Sequence, residues 1–240
     1  MNYLDMLSRL GVGSAHPGGF SATMSQLSRF PLPAGSRVLE VGCGTGRTTC
    51  YLAKQGFDII GLDLRPDMLA KAKLRAEAEQ LDVRFVEGDI TALPFEAATF
   101  DIVLAESVTN FSDIGQALAE YGRVLRPGGI LYDREVIATP SITEQAYREV
   151  TGFFQLNALL TEQEWIERLQ ASGFAEITVC DRSAFVQHIT DDQIAYPDMN
   201  QVMDPGAVLD ASVWQTSLAH DDLIAANHDY LEHALFIARK

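Results

Sequence analysis

Short, continuously apolar runs alternate with amphipathic stretches through the middle of this 240-residue chain. The runs at 36–41, 57–62, 82–87, 100–105 and 129–137 predict strands. Stretches such as Ile59-Ile60-Gly61-Leu62 are apolar at successive positions, as expected of strands covered on both faces in a parallel sheet. Helical periodicity over 46–55, 66–79 and 112–123 places helices between them. Arg126-Pro127-Gly128-Gly129 then reads as the turn that stops a helix before the fifth strand. The alternation predicts an α/β fold.

The flanks have a different texture. Residues 3–10 and 20–30 read as two short helices separated by a glycine-rich turn containing His16. Residues 139–160 carry Tyr147, Phe153 and Phe154 on a helix. Thr161 with Glu164 forms a capping-box pattern, and Gly173 ends the helix it opens. Strands are expected at 175–180 and 233–239, separated by a long excursion, 184–229, that holds His188, Tyr196, Met199, Met203 and Trp214. Asp191-Asp192 and Asp221-Asp222 look like helix starts within it, where acids favour the dipole. The division expected is a helical cap at 1–35, a ligand-binding core at 36–138, and a completing region at 139–240 with helical lid insertions at 139–160 and 184–229.

Candidate chemistry concentrates at Val38-Leu-Glu-Val-Gly-Cys-Gly-Thr-Gly46, a buried strand running into a loop with glycines at alternate positions. Such a loop at the carboxyl end of a strand makes a nucleotide-sized crevice. A dinucleotide fingerprint needs a glycine at 47, and Arg47 stands there. That disfavours a nicotinamide-dependent oxidoreductase.

The acid followed by Gly-x-Gly-x-Gly, Glu40 to Gly46, resembles the first motif of the class I S-adenosylmethionine-dependent methyltransferases. Four further matches follow in order: Ile59–Asp63, Gly88–Phe95, Phe100–Glu106 and Leu125–Leu131. The resemblance covers roughly 36–138. It implies a doubly wound, Rossmann-like, seven-stranded and mostly parallel sheet with an antiparallel last strand. It also implies S-adenosylmethionine as cofactor, S-adenosylhomocysteine as product, and a methyl acceptor, here expected to be a small molecule. A protein that binds the cofactor without transferring methyl is the alternative.

Site residues carry over position by position. Gly42, Gly44 and Gly46 form the cofactor loop, and Glu40 supports it and the amino group of the methyl donor. Asp63 accepts the ribose hydroxyls or, alternatively, caps the following helix. Leu64 and Met68 pack the adenine or merely the core, and Asp89 with the Ile90 backbone reads the adenine amino group or is a turn residue. Glu106 stands on the acceptor side, orienting or deprotonating the acceptor, unless it belongs to a helix-capping cluster from Ser107 to Asp113. His16 faces the acceptor as a base or lies exposed in its turn. Tyr3 and Tyr147 line the pocket or pack.

A net charge of −15 and a pI near 4.6 argue against nucleic acid and anionic membranes as partners. The same acidity hints at an amine acceptor, whereas the aromatic and methionine content of the insertions hints at an apolar one. Cys43, Cys50 and Cys180 lack metal-ligand spacing, and the late histidines form no metal-like cluster, so no metal is expected. Reduced thiols, a non-signal-like N-terminus and the lack of an 18-residue apolar run predict a soluble cytoplasmic protein. An apolar insertion closes a lid or forms a homodimer contact.

Overall fold

A computed structural model describes residues 1–185 and 194–240; His188, Asp191 and Asp192 lie outside the described residues. One seven-stranded sheet organises the chain, in the order β3-β2-β1-β4-β5-β7-β6. Its strands are β1 (Arg37–Val41), β2 (Asp58–Asp63), β3 (Arg84–Glu87), β4 (Phe100–Glu106), β5 (Leu125–Ala138), β6 (Ala175–Ala184) and β7 (Leu231–Arg239). The first five pair in parallel, and β7 runs antiparallel between β5 and β6. This is the doubly wound arrangement expected, with the order reversing direction between β1 and β4.

The helices are α1 (Tyr3–Leu10), α2 (Gly19–Arg29), α3 (Arg47–Lys54), α4 (Pro66–Ala78), α5 (Ile114–Val124), α6 (Glu144–Phe154), α7 (Glu162–Ala171) and α8 (Ala211–Asn227). One sheet face buries Leu39, Val41, Val103, Leu131 and Phe236 against α5 and α7. There Trp165 of α7 is fully buried and stacks on Phe236, ring centroids 5.3 Å apart. The opposite face packs Val38, Ile102, Leu104 and Leu235 against Leu52 of α3 and Leu27 of α2. A third apolar cluster joins Tyr3 and Leu7 of α1, Val150 and Phe154 of α6, Val213 and Ile224 of α8, and Leu231 at the start of β7.

Several boundaries differ from expectation. Strand β5 begins at Leu125: Phe100 pairs with Leu125 and Ile102 with Ile130, so Arg126–Gly129 bulges from the strand instead of preceding it. The β6–β7 hairpin is longer than its apolar runs, since Ala184 pairs with Glu232 through residues polar on the open face. Asp221-Asp222 does not start a helix. Helix α8 begins ten residues earlier, where Asp210 accepts a hydrogen bond from Ser212 N–H at 2.8 Å, and the acidic pair lies on its exposed face. The capping box at Thr161 and Glu164 is formed as expected.

Candidate active site

At the carboxyl edge of β1, β2, β4 and β5 lies a cavity of about 520 Å³. It sits at the switch point where ligands bind in open α/β sheets. Its wall contains Glu40, Gly42, Gly44, Asp63, Leu64, Met68, Asp89, Ile90, Glu106 and His16. Gly46 is not on the wall. Its φ is 74°, it starts α3, and a Cβ there would lie 2.9 Å from the Ala72 Cβ and 3.1 Å from the Phe85 ring. Gly44, at φ 52°, is the opposite case, because a Cβ there would meet nothing within 4 Å. A hydrogen at this position leaves the loop backbone open to a ligand.

Asp63 ties the loop to the next strand. Its Oδ2 accepts from Gly44 N–H at 2.8 Å and its Oδ1 from Arg65 N–H at 2.9 Å. Arg65 stands at the cap position of α4 without a side-chain cap bond, and the Asp63 carboxylate bonds the Arg65 N–H just ahead of the helix. Burial pushes its carboxyl up despite both hydrogen bonds. Leu64 is exposed at the rim and Met68 is buried behind it. Asp89 is exposed and accepts from Thr91 N–H and Oγ1–H at 2.8 and 2.7 Å, next to buried Ile90.

Two acids stand side by side in the middle of the wall. Glu40 is buried and accepts from the Thr49 hydroxyl; burial, with the Glu106 charge second, holds its carboxyl well above the usual range. Glu106 accepts from Thr48 Oγ1–H at 2.9 Å and from Thr23 Oγ1–H at 2.6 Å. Thr23 has one proton, which goes to Glu106, so His16 Nε2, 3.2 Å from the Thr23 oxygen, faces a lone pair. His16 Nε2 is 3.7 Å from Glu106 Oε1. His16 is therefore buried in a His–Thr–Glu cluster, not exposed in its turn. Asp113, at the end of the Ser107–Asp113 cluster, caps α5, and the Glu106 carboxylate bonds Thr23 and Thr48 instead. Tyr3 lines the cavity, whereas Tyr147 packs in the third cluster.

Sequence reasoning missed the support beneath this wall. Glu135 Oε1 accepts from Val108 and Thr109 N–H at 2.9 and 2.7 Å, and Asp133 accepts from Thr109 Oγ1–H at 3.0 Å. Both acids are fully buried in β5, and burial pushes both carboxyls up, Asp133 to about 7. Two alternate acids inside an apolar strand were the available signal. Thr23 and Thr48 carried none. Cys43 and Cys50 are buried thiols raised by burial, Cys50 to about 12, and so stay protonated. Among the described residues no group of His, Cys, Asp or Glu is placed to hold a metal ion.

Residues 39–133 match a family described as a methyltransferase domain. With the cavity, the switch point and full-length kinship to a methyltransferase, this places the chain in the class I S-adenosylmethionine-dependent methyltransferases, whose cofactor is S-adenosylmethionine. That full-length relative is an uncharacterized methyltransferase, YodH, of Bacillus subtilis (strain 168), 31% identical and covering 99% of each chain. A demethylmenaquinone methyltransferase of Thermus thermophilus is 45% identical over 101 residues, 41% of this chain and 46% of that protein. Among solved structures, Haemonchus contortus phosphoethanolamine N-methyltransferase 2 in complex with S-adenosyl-L-methionine superposes with a TM-score of 0.76 at 22% identity. It covers 99% of this chain, which spans 57% of that one, and the likeness concerns the fold.

Proposed function

We propose that the chain transfers the methyl group of S-adenosylmethionine to a small-molecule acceptor within the central cavity. The observation that carries this reading is the continuity of the cavity: the open glycine loop at Gly44, the buried acid Asp63 and the His16–Thr23–Glu106 cluster share one wall. The cavity has the volume of an ordinary small-molecule site. A net charge of −15 favours a free small molecule over nucleic acid.

Residues at the β2–β3 side take the adenosine: Asp63 the ribose hydroxyls, Leu64 and Met68 the ring, Asp89 and the Ile90 backbone its amino group. Gly42 and Gly44 let the backbone approach, and Gly46 holds the helix start behind them. Glu40 and Glu106 lower the cost of burying a cationic ligand, because their carboxyl oxygens within the cavity can accept hydrogen bonds from it. When bound, S-adenosylmethionine supplies an electrophilic methyl group on a sulfonium. The protein's work is then to align the acceptor and exclude water. Held by the residues named above, the cofactor would supply the methyl group and its sulfur would keep the bonding electron pair, so the protein need only provide for the acceptor's proton. Glu106, oriented by Thr23, Thr48 and His16, takes the proton the acceptor releases.

Titration calorimetry tests the methyl-donor half. Asp63→Ala weakens S-adenosylmethionine binding by roughly 1–3 kcal/mol, since partners are left unpaired; unchanged affinity removes the ribose contact. Labelled-methyl transfer into the small-metabolite fraction of a cell extract tests the other half. Label in protein or nucleic acid alone would overturn the small-molecule assignment.

A further inference from the structure

The cavity wall changes character along the sheet. Across the order β2-β1-β4-β5-β7, the polar positions Asp63, Glu40 and Glu106 stand on the first three strands, and Val136 and Leu231 on the last two. At about 4.8 Å per strand step, Asp63 and Val136 lie on the order of 15 Å apart across the sheet. Beyond Glu106 the wall carries Val136, Leu231, Phe111, Val150, Phe154 and Leu156, and the segment after β4 adds the polar residues Asn110 and Asp113. The apolar side chains belong to the third apolar cluster, built by segments outside the β1–β4 body together with Met68 of α4. The one phenol among the described residues of the cavity wall, Tyr3, is buried with its ring edge-on to Phe154 at 4.8 Å, and burial pushes its hydroxyl up, so it stays neutral.

Lysine and arginine are confined to the other end. Arg65, the cavity's guanidinium, is bound to Asp5 and Asp67 beside β2. Asn110 spends its amide N–H on the Val136 carbonyl at 2.8 Å. Among the described residues lining the cavity Arg65 is the only lysine or arginine, so none stands in the far chamber to neutralise a phosphate or a carboxylate; the acids on the β4 side are Glu106, already engaged by two threonines, and exposed Asp113. Burying an unpaired charge there costs several kcal/mol.

We infer that the methyl acceptor is a neutral, predominantly apolar molecule that lies in the chamber between β5, β7, α1 and α6 and presents one nucleophilic group to Glu106. The inference rests on the methyl-donor placement proposed above. It resolves the opposed sequence hints against an amine acceptor. It also separates this chain from what its structural likeness to a phosphoethanolamine enzyme would suggest.

The test uses the full chain saturated with S-adenosylhomocysteine, the neutral fluorophore N-phenyl-1-naphthylamine as probe, and calorimetry of S-adenosylhomocysteine as the independent readout. The probe is expected to bind with one-to-one saturation. Leu156→Arg, which adds charge, and Val150→Phe, which removes volume, are each expected to weaken it about tenfold or more. Affinity for S-adenosylhomocysteine stays unchanged in both, which also verifies their folding. Normal S-adenosylhomocysteine binding with no probe binding, or with probe binding that neither variant moves, overturns the apolar chamber and leaves the cofactor reading intact. Saturable binding of phosphoethanolamine or sarcosine overturns it likewise. Absence of S-adenosylhomocysteine binding in the unmodified chain removes both.

Discussion

Gly44 and Gly46 are two residues apart, share a left-handed backbone, and do different work. Gly46→Ala drives a methyl group into Ala72 and Phe85 as well as forcing a side chain into an unfavourable φ. It should lower stability by about 2 kcal/mol or more. Gly44→Ala carries only the backbone cost, about 1–2 kcal/mol, but points its methyl into the cavity and should weaken S-adenosylmethionine binding further. Paired thermal melts and calorimetry separate the two; equal loss of binding at equal stability would contradict the division. The buried pair Asp133–Glu135 makes a pH prediction. Folded, both carboxyls keep protons to higher pH, Asp133 to about 7, whereas an unfolded chain releases them near pH 4. The folded state thus binds more protons in that window, and this pair makes stability fall as pH rises from about 4 to 7. Buried His233, held down to about 4, works in the opposite sense below its ordinary value, so the difference between proteins is the informative quantity. Glu135→Gln keeps the acceptor for Val108 and Thr109 and should flatten the fall by on the order of 1 kcal/mol. Denaturant melts at pH 5 and 7 read it directly. An unchanged slope would mean that burial does not hold these carboxyls protonated. Of these residues the glycines were legible in the sequence, because their spacing is a local pattern. The acids of β5 were not, because their partners lie on a loop 24 to 27 positions away.

The segment 196–204 is a strap across the N-terminal turn and α4. Asp198 receives both terminal nitrogens of Arg75 at 2.7 Å, while Arg75 Nε donates to the Thr45 carbonyl at 2.9 Å in the glycine loop. Lys71 pairs with Asp204, and Asp204 N–H donates to the Arg9 carbonyl at 2.8 Å. Arg47 lies 4.1 Å over the Phe20 ring and donates to the Tyr196 carbonyl. Both members of the Arg75–Asp198 pair are largely buried, so Asp198→Ala leaves a guanidinium without its partner. The expected cost is about 3 kcal/mol of stability, with faster release of S-adenosylhomocysteine in stopped-flow measurements. Loss of stability with unchanged release would make the strap structural only. Elements with strong periodicity, β1 through α5, lie where the pattern puts them to within a few residues. The β6–β7 hairpin was under-read because its outer pairs, such as Arg182 with Glu232 at 2.8 Å, are polar side chains on an exposed face. Helix α8 was mis-started because an acidic pair is a dipole signal at an N-terminus and an ordinary solvated surface elsewhere.

The whole molecule carries a formal charge of −15, and repulsion among its acids opposes compactness. Sodium chloride raised from about 10 mM to 150 mM shortens the screening length from roughly 30 Å to 8 Å. It should therefore raise the melting temperature, by roughly 2–4 °C per kcal/mol relieved. A fall instead would mean that paired charges such as the strap's outweigh the repulsion. At this scale the cofactor half of the site was legible because it is read from one strand–loop–helix motif after another. The acceptor half was not, since its walls come from α1, α6 and the ends of β5 and β7, which no single stretch of sequence brings together. The strand order has a kinetic consequence. Strand β7 lies between β5 and β6 but follows β6 by more than forty residues, so the far edge of β5 stays unpaired while the intervening chain is being synthesised. The ribosome therefore completes the cofactor-side body first, and a nascent chain with an open fourteen-residue strand edge is vulnerable to pairing with the wrong neighbour until its last hairpin strand arrives.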